Sequence, residues 1–388
     1  MRYVSRLLSE GSDRMRDIAA AQWGLLSSSV NLLASVCYPF PSVLAALSEP
    51  SQLLPAEGMP RARYLPGSAV MDKVEMDAER LLLQLFGASS GYRATIQPHS
   101  GTQANQIAFN AVLRKDNQDL VLCLAPSDGG HISHSVLVGR RNPVMHYPLD
   151  ASGAPDLQAL AELARRQRPR LIVAGGSACP RAIDFAAIAG IAREVGAYLH
   201  ADISHTAPFI AAGRHPPVIE HADFITFNMV KNLRGPNGGV LIYRDQHHNR
   251  VARALFPGTQ GGANENMMLA KLAALDEWTR HDIRIHADRM ISAARTIGDE
   301  LLARGFQLVT GGTDSHLLLV DLRNEGRTGA EVEAACRTHG VRLVFHVASP
   351  DPNGNNRKLF HDVNVTGTNN VIAACAALGI RALVYTSS

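Results

Sequence analysis

The sequence predicts an α/β fold in which a largely parallel sheet carries helices on both faces. From about residue 71 onward, short apolar runs that suit buried parallel strands alternate with helical patterns. The clearest runs are VLCL (121–124), LIVAG (171–175), AYLHADI (197–203), DFITF (223–227) and VLIYR (240–244). Helices are predicted between or before them, at 71–86, 103–113, 156–167 and 183–195. Ligands of such sheets bind at the carboxyl ends of the strands, so the polar residues after these runs are the first site candidates.

The composition of the 388-residue chain excludes several classes of protein. The 38 Lys and Arg residues are scattered and nearly balanced by 35 Asp and Glu residues, so we expect no nucleic-acid surface. No apolar run approaches the roughly 18 residues that span a bilayer, and residues 1–30 do not resemble a signal peptide. Five widely spaced cysteines without a CxxC pair argue against a disulfide framework or a zinc site. We therefore expect a cytoplasmic globular enzyme.

The remaining segments predict further elements. Residues 1–30 predict a helix with an apolar stripe. The Pro- and Gly-rich stretch 48–70 predicts a long irregular loop, and loops of that length are usually functional. The pattern is helical over about 264–305, strand-like over HLLLVDL (316–322) and helical again near 328–338.

A hydroxyl-bearing turn precedes the helix predicted at 103–113. In this turn, Ser100-Gly101-Thr102, backbone N–H groups, hydroxyl groups and the positive end of the helix dipole form a cup that suits a phosphate monoester. The alternative is an ordinary Ser or Thr N-cap. The turn alone is compatible with both interpretations.

Two strand ends carry residues suited to a second part of such a ligand. Asp202 ends the run AYLHADI, where a carboxylate can pair with a pyridinium nitrogen and make pyridoxal phosphate (PLP) an electron sink. Lys231 follows DFITF and precedes a Gly-Pro-Asn-Gly-Gly turn, from which it can reach the crevice and form an imine. Burial there would lower the lysine pKa. The alternatives are a helix-capping Asp202, a simple loop histidine at His205 and a solvated Lys231.

The segment GGHISH (129–134) follows the strand VLCL. The imidazole of His131 can stack on a flat ring or move protons. A metal site at His131 and His134 is the alternative, but no further cluster of His, Cys or carboxylate residues completes a ligand set in the sequence. Taken in chain order, the cup, the histidine, the strand-end carboxylate and the lysine predict PLP bound at Lys231.

From about residue 30 to 340 the sequence resembles serine hydroxymethyltransferase, a fold-type-I PLP-dependent transferase. The resemblance implies a mainly parallel sheet with helices on both faces, a small C-terminal domain that is truncated or altered here, and PLP as the cofactor. Nine ordered segments carry it: NLLASVCYPFPSVL (31–44), AEG (56–58), IQPHSGTQAN (96–105), GGHISH (129–134), LIVAGGSACPRAIDF (171–185), HADISHTAPFIAAG (200–213), VKNLRGPNGG (230–239), FPGTQGG (256–262) and TGGTDSHLLLVDL (310–322).

The resemblance implies cofactor-binding roles at the matching positions. Lys231 corresponds to the Schiff-base lysine, Asp202 to the carboxylate on the pyridine nitrogen and His131 to the ring-stacking histidine. Ser177 and His205 match groups near the ring hydroxyl. The phosphate cup corresponds to Ser100, Gly101 and Thr102, with Gly262 reaching it from the neighbouring subunit.

The resemblance also implies substrate-binding residues and a shared active site. Glu57 matches a carboxylate that crosses the dimer interface and handles the proton of the substrate hydroxyl. Tyr64 matches an active-site tyrosine, and Ser35 a contact to the substrate carboxylate. A homodimer is therefore implied, and Glu57 and His131 are the candidate bases.

Five positions depart from the family pattern. Pro55 stands where the family has a phosphate-binding tyrosine, and Leu65 where it has a second active-site tyrosine beside Tyr64. Val230 replaces the histidine before the lysine, Asn232 the threonine after it, and Asn237 the arginine of the Gly-Pro-Arg-Gly-Gly turn. The lysine, pyridine and phosphate functions are retained. Groups that tune substrate handling have changed.

The end of the chain departs further. After residue 343 the folate-side loop and the arginine that grips the substrate carboxylate are missing, and Arg342, Arg357 and Lys358 are candidate substitutes. Residues 343–388 instead resemble the interior of an extended short-chain dehydrogenase, without its Gly-rich turn or Tyr-x-x-x-Lys pair, so we expect no NAD binding by this tail. The predicted domains are an N-terminal helical arm (1–45), a PLP-binding large domain (46–280), a partial small domain (281–342) and the tail.

The leading functional hypothesis is cleavage or formation of the Cα–Cβ bond of a β-hydroxy-α-amino acid. Its substrates would be a glycine-, serine- or threonine-like amino acid and an aldehyde. One version is tetrahydrofolate-dependent hydroxymethyl transfer between serine and glycine; the other is a folate-free threonine aldolase or transaldolase, which the altered tyrosines and missing loop favour. A non-catalytic PLP-binding protein and a nicotinamide oxidoreductase are the alternatives.

Overall fold

The computed structural model describes residues 11–27, 33–53, 55–88, 90–114 and 118–322. The chain divides into two compact units. The sheet unit comprises Cys37–Arg289, and the terminal unit comprises Met1–Val36 with Met290–Ser388. The predicted domain boundaries at residues 45, 280 and 342 stay predictions. The helix predicted near 328–338, the tail at 343–388 and the candidate basic residues Arg342, Arg357 and Lys358 lie outside the described residues.

The sheet unit is built on a seven-stranded sheet. Its strands in chain order are β3 (Tyr92–Thr95), β4 (Val121–Cys123), β5 (Val144–His146), β6 (Leu171–Ala174), β7 (Tyr198–Asp202), β8 (Phe224–Asn228) and β9 (Gly239–Arg244). In space the order is β3-β9-β8-β7-β6-β4-β5. Strand β9 is antiparallel to both neighbours, and the other adjacent pairs are parallel. The predicted mainly parallel sheet is confirmed.

Helices alternate with these strands along the chain. They are α1 (Asp13–Ser27), α2 (Pro41–Leu47), α3 (Ala69–Leu85), α4 (Gly101–Val112), α5 (Leu157–Gln167), α6 (Phe185–Val195), α7 (Ala207–Ala211), α8 (His248–Leu255), α9 (Glu265–Arg280) and α10 (Ile283–Ala303). Side-chain caps fix several starts: Asp156 accepts from the Ala159 N–H at 2.9 Å before α5, and Asp184 from the Ala187 N–H at 2.9 Å before α6. The helices predicted at 71–86, 103–113, 156–167 and 183–195 are confirmed to within two residues, and the helix predicted over 1–30 is present at Asp13–Ser27.

The sheet is buried on both faces. Val121 and Cys123 of β4 pack in one apolar cluster with Phe109 of α4. Leu122 lies between them and is also fully buried. Because successive side chains of a strand point to opposite faces, protein covers both sides of β4. This explains why the strand sequences are continuous apolar runs rather than alternating ones.

Three predicted segments differ in the structure. The stretch 48–70 is not wholly irregular, because β1 (Gly58–Met59) and β2 (Ala62–Arg63) form an antiparallel hairpin. Its tight turn uses the left-handed backbone of Arg61, at φ 65°. The helical region 264–305 is interrupted between α9 and α10, where the Asp282 carboxylate accepts from the Arg284 N–H at 2.9 Å.

In the terminal unit, the strand predicted over 316–322 is shorter than expected. Only Val320–Asp321 is a strand (β11), and it pairs in antiparallel fashion with Gln307–Leu308 (β10). In the same unit, the His316 ring contacts the Ala34 carbonyl oxygen at 3.0 Å from Nε2.

A buried lysine connects two backbone segments of the sheet unit by hydrogen bonds. Lys271 of α9 is 1% exposed, and its ammonium donates to the carbonyl oxygens of Ile96, Pro98 and Gly239 at 2.6, 2.8 and 2.9 Å. Burial lowers the pKa of Lys271 to about 7, and the charge of Glu75 acts in the opposite direction. The three acceptors lie next to the Ser100 turn and at the start of β9. The Lys271 ammonium therefore connects the backbone before the Ser100 turn to the backbone at the start of β9.

We expect the substitution Lys271→Met to lower the free energy of unfolding by about 1.5–3 kcal/mol, because it leaves three buried carbonyl groups without their charged donor. Chemical denaturation monitored by circular dichroism measures this change. The control is Lys73→Met on α3, where the lysine pairs with Asp77 at the surface and a change within about 0.5 kcal/mol is expected. Equal effects of the two substitutions would contradict the role given to Lys271.

Candidate active site

Lys231 lies in the loop between β8 and β9. The loop is closed at its base because the Met229 N–H donates to the Gly238 carbonyl oxygen at 3.0 Å. The Lys231 side chain reaches His205, and its Nζ is 2.9 Å from Nε2 of that ring. Burial lowers the pKa of Lys231, and the negative charge of Asp202 opposes this shift. A lowered pKa increases the neutral, nucleophilic fraction of the amine.

The Asp202 carboxylate, at the end of β7, accepts four hydrogen bonds. Oδ2 accepts from Asn105 Nδ2 at 2.8 Å and from His134 Nε2 at 2.9 Å. Oδ1 accepts from the backbone N–H and the hydroxyl of Ser204 at 3.0 and 2.6 Å. Burial alone raises a carboxyl pKa, but the hydrogen bond and charge of His134, the charge of Lys231 and the Ser204 hydroxyl hold the pKa of Asp202 well below its usual range. Asp202 is therefore ionised, as a partner for a pyridinium nitrogen must be.

A buried polar chain beside Asp202 was not predicted from the sequence. Asn105 of α4 also donates from Nδ2 to Ser133 Oγ at 2.9 Å. Its Oδ1 accepts a hydrogen bond from the hydroxyl of Thr226, and that hydroxyl oxygen is 2.7 Å from Nε2 of His200. All four side chains are at most 1% exposed. His200 and Thr226 lie on β7 and β8, Asn105 lies on α4, and Ser133 lies on the turn after β4.

His131 and His134 lie at the start of a π-helical turn, Ser133–Leu137. Nδ1 of His131 is 2.7 Å from Ser133 Oγ, and the two imidazole rings are 5.5 Å apart. Burial lowers the pKa of His131; His134 and Lys231 lower it further and Asp202 raises it. The structure brings Asp202 close to the two histidines. One atom from each of the three residues that could bind a metal ion lies within 4.8 Å of the other two. Hydrogen bonds account for this closeness, because His134 donates to Asp202 and Ser133 donates to His131.

Ser177 is positioned by backbone contacts on both sides. Its N–H donates to the Gly129 carbonyl oxygen at 2.7 Å. Gly175, at φ 134°, passes so close to Asp202 that a Cβ there would lie 2.1 Å from the Asp202 carbonyl oxygen. Only glycine fits this contact. The segment that carries Ser177 therefore lies between the His131 turn and the end of β7.

Ser100 is the N-cap of α4, and its Oγ accepts from the Gln103 N–H at 3.1 Å. The N-cap interpretation is thus correct for the Ser100 hydroxyl. It is compatible with a phosphate cup, since the first N–H groups of a helix have no partner within the helix. A Cβ on Gly239 would lie 2.2 Å from the Ser100 carbonyl oxygen, and one on Gly101 3.2 Å from Asn228 Cβ. The turn therefore packs directly on the base of the Lys231 loop.

Glu57 and Tyr64 lie opposite each other at the base of the β1–β2 hairpin. The Tyr64 N–H donates to the Glu57 carbonyl oxygen at 3.1 Å. The Tyr64 side chain is 70% exposed, and its ring centroid is 4.8 Å from that of Phe256. A Cβ on Gly262 would lie 3.8 Å from Glu57 Cγ. The two residues that the resemblance assigns to the neighbouring subunit's site, Glu57 and Gly262, are thus neighbours in one chain.

A buried ionic network anchors this hairpin. The Arg63 guanidinium pairs with Asp72 at 2.8 Å and with Glu75, and both arginine and glutamate side chains are at most 5% exposed. Gln97 Nε2 donates to Glu75 Oε2 and to the Gly58 carbonyl oxygen, each at 2.9 Å. The network fixes the hairpin on α3, so Glu57 and Tyr64 have a defined position at the surface of the sheet unit.

The residues present fit PLP. The ionised Asp202 suits a protonated pyridine nitrogen, the lowered pKa of Lys231 suits a Schiff-base lysine, and the α4 N-terminus suits a phosphate. The sheet unit contains every predicted site residue except Ser35. That residue belongs to the terminal unit, and its contact with a substrate carboxylate stays a prediction.

Comparison with known proteins agrees with this arrangement. The family model "Serine hydroxymethyltransferase" matches residues 8–345. The chain belongs to the serine hydroxymethyltransferase family. Enzymes of this family use PLP to make and break the Cα–Cβ bond of amino acids.

Curated relatives cover most of the chain. It is 40% identical to serine hydroxymethyltransferase of Bordetella avium over 326 residues, which are 83% of this chain and 77% of the relative. It is 39% identical to serine hydroxymethyltransferase 1 of Ralstonia nicotianae over 326 residues, with the same shares of 83% and 77%. It is 38% identical to the Acidothermus cellulolyticus enzyme over 340 residues, which are 87% of this chain and 78% of that one.

The C-terminal part of the chain matches a second family model. The model "3-beta hydroxysteroid dehydrogenase/isomerase family" matches residues 309–388. The predicted dehydrogenase resemblance of the tail is confirmed as a sequence match.

Among the helices that the structure describes, none has the length and apolar character needed to cross a membrane.

We expect borohydride reduction of the PLP-loaded protein, followed by peptide mapping, to place the pyridoxyl label on Lys231. Lys271 is an internal control, because it is also buried with a lowered pKa but its ammonium is held by three carbonyl groups. Mass spectrometry of tryptic peptides distinguishes the two lysines. A label on Lys271, or no label, would contradict the assignment of Lys231.

Proposed function

We propose that this chain is a folate-independent, PLP-dependent aldolase or transaldolase that acts on β-hydroxy-α-amino acids. A threonine-like substrate is cleaved to a glycyl unit and an aldehyde, and the glycyl unit is released or passed to another aldehyde. The proposal is carried by one contrast. The Lys231–His205 and Asp202 contacts that serve the cofactor are intact, whereas Pro55, Leu65 and Val230 are apolar where the family pattern has polar groups.

The neighbours of Lys231 support this contrast. Val230 presents no polar group beside the lysine. Asn232 is 1% exposed and its Nδ2 donates to the His205 carbonyl oxygen at 3.0 Å, while its own carbonyl oxygen is 2.9 Å from Nε2 of His286. Burial lowers the pKa of His286 to about 4, so this ring is neutral and donates from Nε2. The polar groups of Asn232 thus serve the local fold, and Lys231 is left as the reactive group of the segment.

The segment around the β1–β2 hairpin also supports folate independence. Leu65 follows Tyr64 directly and is 36% exposed, and Pro55 is exposed two residues before Glu57. Pro55 stands at the position of a phosphate-binding tyrosine and Leu65 at that of a second active-site tyrosine, so a bound pteridine or folate chain would lose any hydrogen bond that it makes to the tyrosine hydroxyl at position 65. A buried group left without its partner costs about 1–3 kcal/mol, which is about five- to 150-fold in affinity. Cleavage of a threonine-like substrate needs no such surface.

Each retained group has a defined task in this reaction. Bound PLP supplies an electron sink for the bond that is broken. The ionised Asp202 would keep the pyridine nitrogen protonated, Lys231 would hold the cofactor, and His131 would stack on its ring. A carboxylate at Glu57 accepts the proton of the substrate β-hydroxyl, which drives the retro-aldol cleavage.

The active site is shared between two copies of the chain in this proposal. Glu57 and Gly262 lie side by side, and Tyr64, which donates its backbone N–H to Glu57, is 70% exposed. This part of the hairpin is therefore accessible to a second copy of the chain. A two-fold dimer brings the same hairpin to each partner's Lys231.

The dimer is tested by mixing inactive chains. We expect Lys231→Ala and Glu57→Gln chains, each inactive alone, to regain about a quarter of the wild-type activity after subunit exchange, because half of the dimers are hybrid and each contains one complete site. Threonine cleavage is the readout.

The control for this experiment mixes Lys231→Ala with Asp202→Asn chains. Both residues belong to the same chain's site, so no hybrid has a complete site and no activity should return. Restoration in the control, or none in the test mixture despite verified exchange, would show that the sites are not shared in this way.

Folate independence is tested by measuring aldehyde release from threonine in folate-free buffer, beside serine turnover with tetrahydrofolate. We expect threonine turnover to change less than about twofold when tetrahydrofolate is added, because no step of this cleavage uses it. Reverting Leu65→Tyr tests the structural reason and should increase the folate effect on serine turnover. Strong serine turnover that vanishes without folate, with no threonine cleavage, would restore hydroxymethyl transfer as the activity.

A further inference from the structure

The ring of His131 is held from one side by Ser133. The backbone N–H of Ser133 donates to Nδ1 of His131 at 3.2 Å, and the Ser133 Oγ is 2.7 Å from the same nitrogen. A backbone N–H can only donate, so Nδ1 must offer a lone pair and carries no proton. A neutral imidazole has one N–H, and in His131 that proton is therefore on Nε2.

Asn105 sets the direction of the Ser133 hydroxyl. The ionised Asp202 only accepts hydrogen bonds, so the Asn105 atom 2.8 Å from Oδ2 is the amide NH₂ group. The same NH₂ group donates to Ser133 Oγ at 2.9 Å. With one lone pair of Oγ occupied in this way, the hydroxyl proton of Ser133 is free to point at His131 Nδ1.

Two further buried residues support this orientation of Asn105. The amide oxygen accepts from the Thr226 hydroxyl, which uses the only proton of that hydroxyl. The neighbouring Nε2 of His200, 2.7 Å from Thr226 Oγ1, must then be the donor. Burial lowers the pKa of His200 to about 3, so this ring is neutral and its single proton lies on Nε2. Each hydrogen bond from His200 through Thr226 and Asn105 to Ser133 thus donates in the same direction.

We infer that this chain of buried side chains locks His131 in the Nε2–H tautomer, so that His131 stacks and donates a hydrogen bond in the active site but is not its general base. Both nitrogens are occupied: Nδ1 faces two donors, and Nε2 carries the proton. Ser133 and Asn105 are positioning residues, because they act through His131. This inference rests on the proposed function in one respect: the proton of the substrate hydroxyl passes to the partner's Glu57 alone.

The groups that face His131 keep it neutral near pH 7. Burial has the largest effect and lowers the pKa of His131; the charge of Asp202 raises it, and His134 and Lys231 lower it. A protonated ring would also need an acceptor at Nδ1, where the structure places two donors. The neutral form is therefore the one that fits the contacts.

The test is the tautomer itself, measured on the full-length holoenzyme labelled with ¹⁵N-histidine. Long-range ¹H–¹⁵N spectra at neutral pH should show a pyrrole-type shift for Nε2 of His131 and a pyridine-type shift for Nδ1. The His131→Gln variant identifies the signals by their loss. A proton on Nδ1 of the wild-type ring overturns the inference.

Two serine variants separate the hydroxyl contact from general damage. Ser133→Ala removes the hydroxyl donor at Nδ1 and keeps the backbone N–H donor, so we expect the pKa of His131 to rise measurably while the neutral ring stays protonated on Nε2. Ser135→Ala, on the same turn, removes a buried hydroxyl with no hydrogen-bond partner among the described residues and should leave the His131 signals unchanged. An equal pKa of His131 in the two variants would show that the Ser133 hydroxyl does not donate to Nδ1, and an Nδ1–H signal in Ser133→Ala would show that the backbone N–H does not hold Nδ1 unprotonated. These readouts do not use turnover, so an inactive enzyme would count against the proposed function and leave the tautomer result intact.

Discussion

The buried carboxylate of Asp202 is the constraint on which the site depends. A charge removed from water at the end of β7 is tolerated only when donors surround it, and breaking such an arrangement by removing one partner costs about 3–5 kcal/mol. Its donors come from separate parts of the chain: Asn105 on α4, His134 on the turn after β4, and Ser204 in the loop after β7. The positions of these three elements are thereby coupled to one another.

The loops around the Asp202 carboxylate pack closely against one another through backbone atoms at glycine residues. A Cβ on Gly130 would lie 2.2 Å from the Leu124 carbonyl oxygen, and a Cβ on Gly239 equally close to that of Ser100. Loops that approach this closely have little freedom to move. The N-terminus of α4, the Lys231 loop and the His131 turn are consequently presented as one preorganised surface, which favours binding of a rigid, flat cofactor.

The sequence predicts the sheet and the residues that would contact the cofactor. It does not predict the buried residues that hold those side chains in position. Asp202 and Lys231 could be found because each follows a continuous apolar run, and the carboxyl ends of parallel strands meet at one edge. The roles of Asn105 and Thr226 could not be predicted in this way. Asn105 lies inside a helix and Thr226 inside a strand, and only the three-dimensional packing brings them together. The signal that could have indicated them is a polar residue within a buried run, since such a residue needs a hydrogen-bond partner.

The hairpin at Glu57 shows a second limit of sequence reasoning. Strands of two residues carry no periodicity, so the sequence of 48–70 predicts an irregular loop, and only the family resemblance indicates a role for Glu57. Its anchor, the buried Arg63–Glu75 pair, joins a hairpin residue to a residue of α3 that lies 12 positions further along the chain. Burial raises the pKa of Glu75 while Arg63 lowers it, and such a pair contributes more to a defined geometry than to stability.

The central claim is that an ionised Asp202 and Lys231 form a working PLP site. The most direct measurement is the visible absorption spectrum of the purified full-length protein and of Asp202→Asn, each recorded with PLP before and after addition of glycine. The account predicts a visible cofactor band in both proteins and, with glycine, a new band at longer wavelength in the wild type that is lost in Asp202→Asn. A wild-type protein that binds no PLP, or a glycine response that is the same in both proteins, would contradict it.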